Sequence, residues 1–350
     1  MEFWRDRPVF VTGHTGFKGG WLTALLNRLG AETTGYALAP EPGPSLFASA
    51  RIGELGASII ADIRDAGRLS AAVQAAQPQV IFHLAAQALV RRARNDPDET
   101  FETNVMGTVR LLEAVRRTPS VKVVVVITSD KVYDNQEWPW AYRETDVLGG
   151  KEPYGASKAA CEIVVQSYRH AYFYDDDAPR VATGRAGNVI GGGDWSQDRL
   201  VPDAMRAFVA GSPLVIRNPS AVRPWQHVLE PLVGYLRLAE ALAVGQPLPP
   251  DGAFNFGPQA DDARDVAWIS DQLVARWGAG AAWTQDPGSQ PYEARLLEVD
   301  SARARAVLDW APKWRLDQGL DRTVGWYKAV ADGADPRDVT LQQIEDHLNG

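Results

Sequence analysis

Apolar and polar positions follow two rhythms along the first half of this chain. Short, nearly unbroken apolar runs are separated by longer stretches in which apolar residues recur every three or four positions. The first rhythm belongs to strands covered on both faces and the second to amphipathic helices. Their alternation predicts an α/β fold, a parallel sheet with helices on either side. Pro8 to Gly13 (PVFVTG) reads as the first strand, and Gly20 to Leu29 as a helix with Leu22, Leu25, Leu26 and Leu29 on one face. ETTGYAL, SIIAD, VIFHLAA and VKVVVVITS, the last ending at Ser129, follow as further strands. Val121 to Ile127 is almost wholly apolar, which predicts the centre of the sheet. Helices are expected over Gly67 to Ala76, Asp98 to Arg117 and Pro153 to Tyr174, and Arg180 to Gly191 reads as a sixth strand entering a glycine-rich loop.

Beyond Gly191 the rhythm breaks up. Gly, Pro and Trp become frequent and the elements short, as suits a smaller domain that encloses a ligand. Ala253 to Gly257 (AFNFG) has the character of a strand returning to the main sheet. The expected division is therefore discontinuous, with residues 1–187 and about 228–258 in the sheet domain and 188–227 with about 259–350 in the cap.

Composition narrows the function. The chain has 350 residues, 45% hydrophobic and 23% charged, enough for a large core, and no apolar run approaches the roughly 20 residues that a membrane span requires. Its first residues, MEFWRDR, are charged where a signal peptide is apolar, which predicts a cytoplasmic protein with no membrane partner. A single cysteine, Cys161, and five scattered histidines leave no disulfide framework and no metal-ligand spacing. A net charge of −8 argues against nucleic acid and for small-molecule partners. Most of the 12 tryptophans are expected to pack rather than bind sugar, and Asp175 to Asp177 to form a solvated turn.

The chemistry begins at TGHTGFKGG. Gly13, Gly16 and Gly19 lie between a strand and a helix, where a tight turn brings backbone N–H groups and a helix N-terminus against a pyrophosphate. Their G-x-x-G-x-x-G spacing resembles that of the short-chain dehydrogenase/reductase superfamily, and so implies a Rossmann-type doubly wound sheet. The resemblance implies that Gly13, Thr15, Gly16, Phe17, Lys18 and Gly19 meet the cofactor. Further pieces recur in the superfamily's order. Asp62 and Ile63 end the third strand, where a carboxylate can take the adenine amino group; Leu84, Ala85, Ala86 and Gln87 end the fourth; Asn104 lies in the helix after it. Tyr154 and Lys158 are four apart, on one helix face. A neighbouring ammonium and the nicotinamide charge would favour the phenolate of Tyr154, Lys158 would also hold the nicotinamide ribose, and Ser129 would bond the substrate oxygen.

Directly after Ser129 come Asp130 and Lys131, in TSDKVYDN. This pattern resembles the nucleotide-sugar 4,6-dehydratases, which oxidise C4, eliminate water across C5 and C6, and return the same hydride to C6. The resemblance assigns the acid to Asp130. The dTDP-glucose enzymes usually carry Glu at the next position; Lys131 can be a base only if its pKa is lowered, and a plain Asp130–Lys131 ion pair is the bland alternative. TGHTGFKGGWL, TSDKVYDNQEW, YGASKAACE, RAGNVIGGGDW and RPWQHVLEPL together resemble the CDP-glucose branch of that family, over nearly the whole chain. CDP-glucose, or a related nucleotide sugar, is the implied substrate, with Gln87, Ser129, Asn188, Arg199, Arg217 and Arg223 as its contacts. A 4-epimerase and a non-catalytic NAD-binding scaffold are the competing readings. The second strand ends Gly35-Tyr36-Ala37-Leu38, with neither an acid for a ribose nor an adjacent Arg for a phosphate. NAD is expected from the resemblance, with NADP left open. A homodimer through a four-helix bundle is expected by the same resemblance, with a tetramer as the alternative.

Overall fold

The computed structural model describes residues 2–278, 280–288 and 294–350. Seven strands, β1 (Pro8–Thr12), β2 (Glu32–Ala37), β3 (Ala57–Ile60), β4 (Val80–His83), β5 (Val123–Ile127), β6 (Arg180–Arg185) and β7 (Ala253–Asn255), form one sheet in the order 7-6-5-4-1-2-3. Every pairing is parallel. All five residues of β5 are buried, as their unbroken apolar run requires of a strand with helices on both faces. The AFNFG segment does rejoin the sheet, Phe254 opposite Gly184 and Asn255 opposite Arg185. Strand order reverses between β1 and β4, the switch point at which sheets of this kind form a ligand crevice outside the carboxyl ends of the strands.

Two cores sandwich the sheet. On one face α1 (Phe17–Arg28) packs Trp21, Leu22, Leu25 and Leu26 against Val9, Val11 and Phe82. On the other, α2 (Ala66–Ala76), α3 (Gly107–Arg116) and α4 (Pro153–Ala171) contribute Leu69, Val73, Leu111, Leu112, Val115 and Val165. The second half supplies α5 (Leu200–Val209), α6 (Leu229–Ala243), α7 (Val266–Trp277), α8 (Leu316–Ala331) and α9 (Pro336–Asn349). Their apolar faces join the first core without a break, from Met205 and Leu232 to Leu320 and Trp326. Trp4, Trp21 and Trp326 are among the most deeply buried side chains, so these tryptophans are packing residues.

The helix expected over Asp98 to Arg117 is interrupted. Pro97–Phe101 leads into a π-turn at Glu102–Met106 before α3 begins. The extra residue in that turn rotates Asn104 inward, an arrangement that recurs at functional sites. The helix α4 stops at Ala171, short of the expected Tyr174, and Asp175 to Asp177 are exposed.

One buried ion pair fixes α4 to the sheet. Glu162 and Arg185 meet at 2.9 Å, each side chain 1% exposed. Thr128 and Thr183 donate to the two Glu162 oxygens, and Arg185 also reaches the Tyr133 hydroxyl, which donates to Asn255. Helix α4 and strands β5, β6 and β7 are thereby tied at one level. Removing one member leaves a buried charge without its counter-ion, which costs about 3–5 kcal/mol. Glu162→Ala is therefore expected to lower unfolding free energy by about that amount in urea titration, and a loss below about 1 kcal/mol would contradict this role for the pair.

Candidate active site

The glycine turn is built by contact. Gly13 has φ +80°, and a Cβ there would lie 2.8 Å from the Ala85 nitrogen; a Cβ on Gly19 would lie 2.0 Å from the Gly13 carbonyl oxygen. Neither position admits a side chain. Gly16 is exposed and caps α1 with no side-chain bond, so the helix N-terminus presents free N–H groups to the crevice. Across the crevice, the Thr12 hydroxyl accepts from Leu84 and Ala85 N–H and pairs with His83, which pairs in turn with Thr108. The backbone after β4 is thus held against the turn, as a dinucleotide pyrophosphate site requires. Beyond β3, Asp62 is gripped by the Arg64 guanidinium, which holds its carboxyl below the usual range. Thr15 donates to Leu38 O, closing the end of β2.

Two residues expected to touch ligands also brace the frame. Asn104 donates to Gln87 O and to Ser157 and accepts from Gln87 N–H, all within 3.0 Å. The Gln87 side chain donates to Thr100 and accepts from Leu89 N–H. Their amides are committed to protein partners, and they join the β4 loop to α4 and to the helical segment before it.

Ser129, Asp130, Tyr154 and Lys158 converge at the ends of β5 and α4. Glu152, a cap the sequence did not signal because Ser, Thr, Asp and Asn are the usual caps, accepts from Tyr154 and Gly155 N–H and starts α4 at Pro153. Lys158 is buried and donates to Ile127 O at 3.0 Å, with its pKa lowered by burial. The Ser129 hydroxyl donates to one Asp130 oxygen at 2.9 Å and accepts from Lys131 N–H. Asp130 is 1% exposed, and its second oxygen has no partner. It fits because residue 187 is glycine, where a Cβ would come within 1.7 Å of that oxygen. Asp130 and Lys131 form no ion pair, which removes the bland alternative.

The charges around this cluster differ from expectation at Tyr154. Burial pushes its phenol up to about 12, Ser129 and Arg199 oppose that, and Asp130 and Glu152 add to it. The protein alone therefore keeps Tyr154 protonated, and the cationic nicotinamide must supply any lowering. Lys18, at the start of α1, is pulled down to about 7 by burial and by Arg199 and Lys158, with Asp130 and Asp194 opposing. Arg199, bonded to Asp194, thus faces the same cluster. Arg217 does not; it shares Asp198 with Arg91, half-exposed. Arg223 is buried on a short strand paired with Ala263–Asp265, and Asn188 turns the chain at φ +45° beside Gly187. Among the described residues no three His, Cys, Asp or Glu cluster as for a metal, and no helix is long and apolar enough to cross a membrane.

Comparison with known proteins places this geometry. Residues 9–257 match the model of the NAD dependent epimerase/dehydratase family. The chain is 46% identical over 352 aligned positions to a CDP-glucose 4,6-dehydratase of Salmonella typhimurium, covering 99% of this chain and 98% of that one. It is 30% identical to a UDP-glucose 4-epimerase of Mycolicibacterium smegmatis, covering 91% and 98%. Among solved structures, a UDP-glucose 4-epimerase of Stenotrophomonas maltophila superposes with TM-score 0.80 at 21% identity, over 94% of this chain and 100% of that one. A dTDP-glucose 4,6-dehydratase of Bacillus anthracis superposes with TM-score 0.76 at 21% identity, over 95% and 99%.

An anion beside Lys18 raises its pKa from about 7. At pH 8 the amine of the empty site is mostly neutral, so binding NAD should take up about 0.9 proton. Calorimetry in two buffers of different ionisation enthalpy measures this. Lys18→Met should abolish the uptake, and equal heats for the native chain would place the amine away from the ligand.

Proposed function

Because the chain belongs to the NAD dependent epimerase/dehydratase family, we propose that it is a CDP-glucose 4,6-dehydratase, converting CDP-glucose to CDP-4-keto-6-deoxy-glucose and water. The observation that carries this reading is Asp130: an acid buried beside Ser129, in a pocket that only glycine at 187 leaves open. A 4-epimerase has no step that needs it. NAD fits the chain through the Gly13–Gly19 cradle and the uncapped start of α1. When bound, it supplies the two-electron acceptor that takes hydride from sugar C4 and gives it back at C6.

The residues divide the remaining work. Ser129 holds the C4 oxygen while Tyr154 takes its proton, and Lys158 holds the ribose hydroxyls and adds positive charge. Once C4 is a ketone, the C5 proton is acidic. Lys131, whose side-chain nitrogen takes no protein partner among the described residues, is the proposed base for it and must act as the neutral amine. Asp130 gives its proton to the departing C6 hydroxyl, so water leaves without a free hydroxide. Arg199, Arg223 and Asn188 are the proposed contacts for the CDP phosphates, and the segments 188–227 and about 259–350 the cap over them. Phe101, Met106 and Ile163 expose apolar surface on the neighbouring segments Pro97–Met106 and α4, which supports a homodimer through that face.

Incubation with CDP-glucose is expected to give a 4-keto-6-deoxy product absorbing in alkali, with solvent hydrogen at C5 and no net NADH. Asp130→Asn is expected to cut kcat about 100-fold or more while CDP-glucose binding persists. Conversion of dTDP- or UDP-glucose with CDP-glucose untouched would overturn the substrate, and a 4-epimer with its C5 hydrogen retained would overturn the reaction.

A further inference from the structure

Beneath Asp130 lies a second polar group that the reaction as described does not use. Tyr235, on α6, is fully buried, and its hydroxyl has no hydrogen-bond partner. Its ring lies on β6 at Gly184, where a Cβ would come within 2.9 Å of it, and packs edge-on against Phe256. Three residues further along the same chain segment, Gly187 makes the room for the unpartnered oxygen of Asp130. A buried donor without an acceptor and a buried acceptor without a donor therefore sit at one strand end. Leaving either unmet in a protein interior is costly, and such pairs are ordinarily joined.

We propose that Tyr235 is a positioning residue for Asp130, its hydroxyl donating to Oδ2 through one bridging water. Burial, and then the charges of Tyr154 and Asp130, hold the Tyr235 phenol far above its ordinary range, so it stays a neutral donor. The titratable groups facing Asp130 are Lys18 from α1, Tyr154 from α4 and Tyr235 from α6, with Lys131 beside it in the chain. A donor from Tyr235 favours the carboxylate left after proton transfer, and it keeps the side chain from turning away from the sugar. The role as a helper to an acid rests on the dehydratase reading; the link between the two side chains does not.

Tyr235→Phe keeps the ring against Gly184 and Phe256 and removes only the hydroxyl. The first measurement needs no substrate. In protein labelled with 13C-aspartate, the infrared titration of the Asp130 carboxyl, isolated by subtracting Asp130→Asn, should move up by about one pH unit in Tyr235→Phe, with melting temperature retained. The second is turnover of CDP-glucose, where Tyr235→Phe should lower kcat about 10-fold at unchanged KM and have no further effect in the Asp130→Asn background. An unmoved carboxyl titration overturns the proposal. So does a kcat loss of equal size in the presence and absence of Asp130. A moved titration in a protein that does not turn over CDP-glucose upholds the link and removes the dehydratase reading instead.

Discussion

The buried pair of Glu162 and Arg185 is the constraint on which the site depends. Glu162 lies one helical turn beyond Lys158 and two beyond Tyr154, so fixing its carboxylate fixes the rotation of α4 about its own axis. Arg185 ends β6, and the hydroxyls of Thr128 and Thr183 complete the anchor from β5 and β6. Through Tyr133 and Asn255 the same network reaches β7. The result is a single register between the helix carrying the phenol and the strand end carrying Ser129 and Asp130. A charge pair this deep is a poor source of net stability. Its value here is geometric, since only one rotation of α4 satisfies all of its partners.

Above this anchor the chemistry is set by burial. Tyr154, Lys158 and Lys18 all have their charged forms disfavoured by desolvation. A site arranged in this way is poorly charged when empty and acquires its working proton distribution from the ligands it binds. A cationic ring beside Tyr154 would favour the phenolate, and an anion beside Lys18 would favour the ammonium. Occupancy and protonation are thus coupled. The proposed acid, Asp130, is buried beside this cluster, where its proton would turn an oxidation at C4 into an elimination across C5 and C6.

Much of this was legible in the sequence, and what was not has one physical cause. The strands and their alternation with helices followed from apolar periodicity, the doubly wound topology from the family resemblance, and the glycine turn and the shared helix face of Tyr154 and Lys158 from short spacings within single elements. The bracing contacts of Asn104 and Gln87 were not legible because a buried amide is defined by its partners, and Thr100 and Ser157 stand 13 and 53 residues away. Gly187 and Tyr235 carry no local signal for the same reason; they matter only where β6 and α6 bring them to Asp130. The π-turn that aims Asn104 inward breaks a stretch whose apolar periodicity is helical throughout.

The proposed reaction oxidises, eliminates and reduces within one turnover, with the hydride returned to the sugar that gave it. CDP-glucose carrying deuterium at C4 tests this most directly. Internal return of the hydride gives a 4-keto-6-deoxy product with that deuterium in its C6 methyl group, read by mass and NMR. Deuterium found at C4 of a hexose epimer, or lost from the sugar into free reduced cofactor, would contradict it.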